Sequence, residues 1–490
     1  MLASPTDSSS EPAHADLLTA SALVGLKLAV SAALVLSGFH AISDDDFARV
    51  AIAQSFADSP RLDPSGSSWL PVPFWLMGAP MLVLGKGWGI ARGVSLLMGC
   101  FAVLSVAGAA RWWGLPRRQA ITAAAMAAVF PYSAYLGASV APSLFCGGLL
   151  LVAISSLSVQ NTKPRLLGAG CLLLATLSRY EAWPIAGVFA IYCLLDGARG
   201  GLSRRTVAIS VALALIGPLL WMLGGQLHHG HPLFFIQRVT DYRQALGLPT
   251  NPIWQTLLAV PKRLLLTEPE LTWLALGCLL SGGPKLRSSG EMSDGTRRSL
   301  VASMALLGFL ITGELGDGTA THHAERPLLV LWLLLCVILA RQLHVHDWSR
   351  RRWLLPTVLS AALGLRFGLP TREDFIDRRA EINIGELAGK RATEGSVVID
   401  TPDFSYFAIQ VGMAGSTAST SLDSHDPRKD RSDATADTAS LERSLRQQGA
   451  AWLITTHAHA PMAASLGTTA GSNSRYVLIQ LAYKPSSTTR

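Results

Sequence analysis

Asp44, Asp45 and Asp46 follow one another directly after the first long apolar run, in ISDDDFARVAIAQSF. Three adjacent carboxylates at a membrane edge repel one another, and partial burial raises the pKa of at least one. A carboxylate raised in this way is a better general base for the proton of a hydroxyl group. The same residues also suit a helix start. Ser43 would be the N-cap, and acids in the first turn answer the orphan amides and the helix dipole. The two readings are compatible. A second cluster, His228, His229 and His231, matches neither a zincin helix nor a zinc finger in its spacing and reads as a solvated loop.

The elements that must position the triplet follow from composition. Of 490 residues, 50% are hydrophobic and 15% charged, against about 25% charged in ordinary globular domains. The apolar residues gather in long runs up to about residue 370. Spanning helices need about 20 mostly apolar residues. Spans are predicted at about 17–39, 88–110, 119–138, 142–159, 166–180, 182–196, 207–226, 269–283, 300–314, 327–342 and 353–369. The run WLPVPFWLMGAPMLVLG (69–85) is short and holds three prolines, so it is expected to lie at the interface rather than cross. The net charge of +8 does not point to nucleic acid, because the basic residues sit in short loops such as RWWGLPRR, NTKPR, ARGGLSRR and RQLHVHDWSRRR. Eleven spans put those loops on one side, which the positive-inside rule makes cytoplasmic. The N-terminus is then inside, and segments 40–87, 227–268 and 315–326, the turn at Arg179 and the tail are outside.

Met1 to Asp16 carries no Lys or Arg, so the first run reads as a retained anchor rather than a cleaved leader. The six cysteines all lie in apolar segments without CxxC spacing, which argues against a disulfide framework or a zinc site. In the tail, SVVIDT, AWLITT and YVLIQLAY read as strands and LERSLRQQG as a helix. The Ser-, Thr-, Asp- and Ala-rich stretch 414–440 is expected as a flexible loop. The predicted fold class is therefore mainly α. A polytopic bundle over 1–370 carries its first external loop at 40–87, and a small extracytoplasmic α/β domain occupies 371–490.

An acidic pair, a short helix, a polar link, a proline-rich amphipathic segment and a span make up the first external loop of the GT-C glycosyltransferases. The chain resembles the branch that holds protein O-mannosyltransferases and the bacterial aminoarabinose transferase. Asp45-Asp46, Ile52-Ala53-Gln54, Leu70-Pro71-Val72-Pro73 and Ala91-Arg92 match that order. RWWGLPRR resembles the family's basic loop, TLSRYEAWP its TRYEG-type turn, GHPLFFI its GNPLYF segment, and AERPLLVLWLLL the start of a late span. The matches run through about three quarters of the chain. Two departures stand out: a third acid in the triplet, and no tyrosine after Arg326.

The resemblance implies transfer of a hexosyl or pentosyl group, mannosyl among them, from a polyprenyl-phosphate sugar to an acceptor hydroxyl on the outer face. The acceptor could be protein, lipid or glycan, and the partners are that donor, that acceptor and the bilayer. A phosphate leaving group needs positive charge nearby, and the hydroxyl needs one carboxylate base. Direct displacement inverts the anomeric carbon. By its spacing to Ile52-Ala53, Asp45 is expected as the base, with Asp46 orienting or binding sugar and Asp44 as the alternative base. Candidates around the phosphate are Arg326, His323, His322, Arg179, His231, Arg238 and Arg243, with Glu181 as a partner for Arg179. Arg179 and Arg326 stand at span ends, where an uncompensated charge is costly; the plain alternative is a snorkelling arginine. The one cofactor left open is a divalent metal at the triplet. The rival from another class is a transporter or flippase of lipid-linked sugars. Transporters usually carry inverted repeats and midplane polar residues, and the sequence shows neither a repeat nor a mid-span acid. The expected location is the inner (plasma) membrane.

Overall fold

The computed structural model describes residues 13–247, 252–269, 271, 274–275, 294–316, 324–345, 375–423, 426, 428 and 434–482. The apolar runs become helices: α1 (Ala13–Leu36), α4 (Trp88–Trp112), α5 (Arg117–Val129), α6 (Pro131–Ala138), α7 (Ser143–Ser156), α8 (Thr162–Thr176), α9 (Ala182–Ala198), α10 (Arg204–His229), α13 (Asp294–Leu315) and α14 (Leu329–Val345). Between them lie α2 (Asp44–Asp58), α3 (Val72–Leu84), α11 (Phe234–Ala245) and α12 (Ile253–Leu266).

Four of these helices are long and apolar enough to cross a membrane, near the predicted spans 17–39, 88–110, 207–226 and 300–314. A fifth crossing is reached if α5 and α6, bent by 68° at Phe130, count as one. The helices at 142–159, 166–180, 182–196 and 327–342 are present but shorter than a full span. Predicted span 269–283 falls mostly, and 353–369 wholly, outside the described residues. The eleven spans expected from the sequence are thus matched by four or five on length and composition among the described residues. The segment 69–85 forms the 13-residue helix α3, packed on α2 and α4 through Phe74, Met77 and Met81. Its last residues, Leu82, Val83 and Leu84, are exposed.

Lys27 and Asp196 carry charge inside the bundle, and both are hydrogen-bonded. Lys27 is buried in α1 and donates from Nζ to the carbonyl of Ser133 at 3.2 Å. Gly137 leaves the room for it, since a Cβ there would stand 2.2 Å from that ammonium nitrogen. Where α8, α9 and α13 meet, Asp196 of α9 receives Arg165 at 2.9 Å and both terminal nitrogens of Arg298 at 2.6 and 2.7 Å. All three residues are buried. Such a triad holds its helices only while every member is present.

The tail unit begins with α15 (Arg379–Arg391) and continues β1 (Ser396–Ile399), α16 (Tyr406–Met413), β2 (Ser419–Ser421), α17 (Thr438–Gln447), β3 (Ala450–Thr456), α18 (Ala460–Ala463), β4 (Gly467–Ser472) and β5 (Tyr476–Leu481). The strands lie in the order β2-β1-β3-β5-β4. β1 is parallel to both β2 and β3, and β5 is antiparallel to β3 and β4. The three predicted strands and the predicted helix are here. β2 and β4 were not predicted, and β2 lies inside 414–440, the stretch expected as a flexible loop. Its sequence STS and the GTTAGS of β4 carry too little apolar alternation to read as strands. α15 and α16 approach closely at two glycines: a Cβ on Gly385 would stand 2.1 Å from the Ile409 carbonyl oxygen, and one on Gly412 would stand 2.2 Å from that of Ile382.

The sheet unit is docked on α2. Ile376 donates its backbone N–H to the Ala41 carbonyl in a single antiparallel bridge. Gln54 of α2 donates to the Lys86 and Val411 carbonyls at 2.7 and 3.0 Å. Phe47, Val50, Ala53 and Ala57 of α2 share one apolar cluster with Met77 and Met81 of α3 and with Ile382, Ala408 and Val411 of the tail. Burying this apolar surface from three segments fixes how α2 enters.

Candidate active site

The helix α2 opens with the triplet, and its three acids go three ways. Asp46 is fully buried, and its Oδ2 accepts the Ile42 amide at 2.9 Å, reaching back over the start of the helix. Asp44 accepts two hydrogen bonds from Arg378 of the tail, at 3.0 and 2.9 Å. Asp45 keeps an open carboxylate: its side chain is 47% exposed, and its Oδ2 lies 3.8 Å from Nη1 of Arg326. Ser43 sits at the N-cap position but makes no side-chain cap. Its hydroxyl is instead taken by Arg326 Nη2 at 3.2 Å.

Burial pushes the Asp46 carboxyl above its ordinary range, against the pull of Arg326 and the Ile42 amide. Burial also pushes Asp44 upward, against the Arg378 guanidinium.

Arg326 heads the short 3-10 turn Arg326–Leu328 before α14. Its side chain is only 5% exposed, with Nε lacking a hydrogen-bond partner. Arg49, four residues after Asp45 on the same helix face, is 8% exposed and lies 4.5 Å over the Trp69 ring. Its Nε also lacks a partner. Burial pulls Arg49 down to about 10, with Asp45 opposing and Arg179 and Arg326 adding to the drop. Arg326 therefore stands beside Asp45, and Arg49 feels the charges of Asp45, Arg179 and Arg326. Arg49 and Arg326, buried and each with an unmet Nε donor, suit an anion with several oxygens.

Arg179, in the turn between α8 and α9, is ion-paired with Glu181 and donates to Ser143 Oγ at 3.3 Å. Of the other predicted residues, His231 is remote in role: it is exposed, and its Nδ1 accepts the Leu233 amide in a local turn. Arg238 and Arg243 lie on α11 with Tyr242. Burial, together with the charges of Asp426 and Asp45, holds the Tyr242 phenol above its usual value. His322 and His323 lie outside the described residues. Among the described residues no set of three His, Cys, Asp or Glu side chains gathers as a metal site.

Arg49, Arg378, Tyr242 and Arg92 were not foreseen as site residues. Arg49 carried a signal in its spacing from Asp45. Arg92 of α4 hydrogen-bonds the His40 carbonyl and lies 5.3 Å over Trp88. It thereby fixes the strand of chain leading into the triplet.

Comparison of this geometry with solved structures decides the fold. The chain overlays ArnT from Cupriavidus metallidurans, a structure bound to undecaprenyl phosphate, with a TM-score of 0.57 and 13% identity. The match covers 96% of this chain and 98% of ArnT. The chain has the GT-C fold. AglB, the archaeal oligosaccharyltransferase from Archaeoglobus fulgidus, in complex with an inhibitory peptide and a dolichol-phosphate, matches at a TM-score of 0.51 and 11% identity. That match covers 91% of this chain and 70% of AglB. No protein-family model matches the chain, and no curated protein matches it. At such identities the likeness is one of fold, and chemistry has to be argued from the site.

Proposed function

We propose that the chain is a membrane glycosyltransferase that moves a sugar from a polyprenyl-phosphate carrier to an acceptor hydroxyl. The observation that carries this reading is the open Asp45 carboxylate 3.8 Å from the buried Arg326 guanidinium, with Arg49 close behind. A base and an anion site stand side by side, as the reaction requires. Two solved structures of the same fold hold polyprenyl phosphates, which supports this class of donor.

The proposed step balances simply. The acceptor O–H gives its proton to the Asp45 carboxylate, and its oxygen forms a bond to the anomeric carbon. The bond from that carbon to the phosphate oxygen breaks, and the polyprenyl phosphate leaves with the electron pair. Attack opposite the leaving group inverts the anomeric carbon. The phosphate is a weak base and needs no general acid; Arg326 and Arg49 would offset its charge. Asp46 holds the helix start in place, and Asp44 is held off by Arg378, so neither competes as base in this reading.

The topology proposed with it has the N-terminus in the cytoplasm and the tail domain, 371–490, on the outer face of the inner membrane. The membrane domain, 1–370, then presents 40–87 outward. The test is donor consumption in proteoliposomes with a panel of radiolabelled polyprenyl-phosphate sugars, including mannosyl, arabinosyl and amino-pentosyl donors. Release of free polyprenyl phosphate from one donor supports the reading. No release from any donor, with lipid-linked sugar instead crossing the bilayer, turns the assignment to a flippase.

A further inference from the structure

The sheet of the tail unit has a point where its strand order reverses. β1 connects through α16 to β2 on one side, and β2 connects through α17 to β3 on the other side of β1. Open α/β sheets bind ligands in the crevice outside the carboxyl ends of two such strands. Here the crevice is an open pocket of about 400 Å³, lined by Asp403 from the loop after β1, His457 from the loop after β3, Ser474 from the β4–β5 turn and Tyr476 at the start of β5. Arg378 and Glu381 close it from the start of α15, and Arg475 from the β4–β5 turn.

The loop after β3 is fixed from below. Asp400, at the end of β1, accepts the Thr455 hydroxyl at 2.6 Å and lies 2.7 Å from His459 Nδ1. The charged groups are arranged around Glu381, which is fully buried. Its Oε1 accepts from Tyr476 and Arg475 at 3.2 Å each and from Arg378 at 3.4 Å, while Oε2 has no partner. A buried carboxylate oxygen without a donor is costly.

We propose that this crevice binds a sugar unit of the acceptor, so that the acceptor is a glycan. The inference rests on the transferase reading above. The two arginines, Arg378 and Arg475, are balanced by the two acids, Asp403 and Glu381, which favours a neutral polyhydroxyl ligand over a phosphate. Hydroxyl groups can meet both the acids and the guanidiniums. The crevice opens at strand ends rather than along a free strand edge, so a peptide has no ladder to join. Its position suits an acceptor site because Arg378 is a shared wall. The same guanidinium binds Asp403 in the crevice at 2.9 Å and Asp44 beside Asp45. A sugar that engages Asp403 therefore sits one side chain away from the triplet.

Saturation-transfer NMR of the full chain in lipid nanodiscs, without donor, tests this. The probes are methyl α-mannopyranoside, methyl β-galactopyranoside, methyl α-arabinofuranoside and methyl N-acetyl-β-glucosaminide. At least one glycoside should bind wild type. Asp403→Asn, and Ser474→Trp in the exposed turn, should weaken that binding tenfold or more. The Ser474→Trp variant keeps buried Glu381 intact, so a folding defect is not the readout. Failure of all four glycosides to bind, or binding that survives both variants, overturns the proposal, as does displacement of the glycoside by a peptide rather than by a second sugar. These results do not depend on donor turnover. A wild type that consumes no donor yet binds sugar in the crevice would sink the transferase reading and leave the sugar site standing.

Discussion

Arg378 grips Asp44 with two nitrogens across 334 positions of sequence, Nε to Oδ1 at 3.0 Å and Nη2 to Oδ2 at 2.9 Å. The first acid of the triplet thus belongs to the seam between the membrane helices and the tail. If this pair matters through its contact, Asp44→Asn and Arg378→Gln should not be additive. Their double-mutant cycle in thermal unfolding should give a coupling of about 1 kcal/mol or more. Additive effects would mean that the pair is incidental.

In the proposed reading Arg49 holds the donor phosphate, and its one described side-chain contact is with the Trp69 ring. Arg49→Gln should lower kcat/KM for the donor by about 10²-fold, in the range seen when one charge-stabilising donor is removed. Arg49→Lys should recover only part, because the planar contact with Trp69 is lost. An unchanged kcat/KM in Arg49→Gln would remove it from the site.

His40 gives a pH dependence whose sign can be worked out. Its ring stacks with Phe47 and Trp88, each at 5.7 Å between centroids. Burial pulls it down to about 4, helped by Arg92 and Arg379 and opposed by Asp377. An unfolded histidine titrates near 6.5. Between those values the unfolded chain binds more protons, so stability should fall as pH drops from about 6.5 toward 4. The raised carboxyls of Asp44 and Asp46 act in the opposite sense, which makes a comparison necessary. His40→Phe keeps the stack and should flatten the fall in melting temperature on acidification. Equal slopes in the two proteins would contradict this.

Asp196 compensates two buried guanidiniums. Asp196→Asn should destabilise the bundle by about 3–5 kcal/mol, visible as a lower yield of monodisperse protein. The specific activity of the folded fraction should stay within twofold, since the triad stands apart from the triplet. A fully stable Asp196→Asn protein would refute the structural role.

A divalent ion at the triplet can be tested directly. Its three carboxylates take three separate partners, and Arg326 already supplies positive charge to Asp45. Chelation with EDTA should therefore leave donor turnover within about twofold, by this geometry. A loss of more than tenfold that magnesium or manganese restores would assign an ion to the triplet.

The sequence made the local features legible. The triplet, the helix behind it, the proline-rich α3 and the long apolar helices are all written in neighbouring residues, as periodicity or composition. What it hid was long-range. Nothing near Asp44 indicates that Arg378 will reach it. Ser43 reads as a cap, and only the approach of Arg326 from 283 positions away gives its hydroxyl another role. β2 and β4 were hidden for another reason. They are edge strands of Ser, Thr and Gly, and the neighbouring strands that hold them supply what their own side chains do not.

The most direct measurement compares donor turnover by wild type, Asp44→Asn, Asp45→Asn and Asp46→Asn in proteoliposomes, at equal amounts of folded protein. Asp45→Asn should lose about 10²- to 10⁴-fold in kcat, the span expected for a general base, while still binding donor. Asp44→Asn should retain most of the rate, and loss in Asp46→Asn should track loss of folded protein. An Asp45→Asn protein that turns over as fast as wild type would contradict the account.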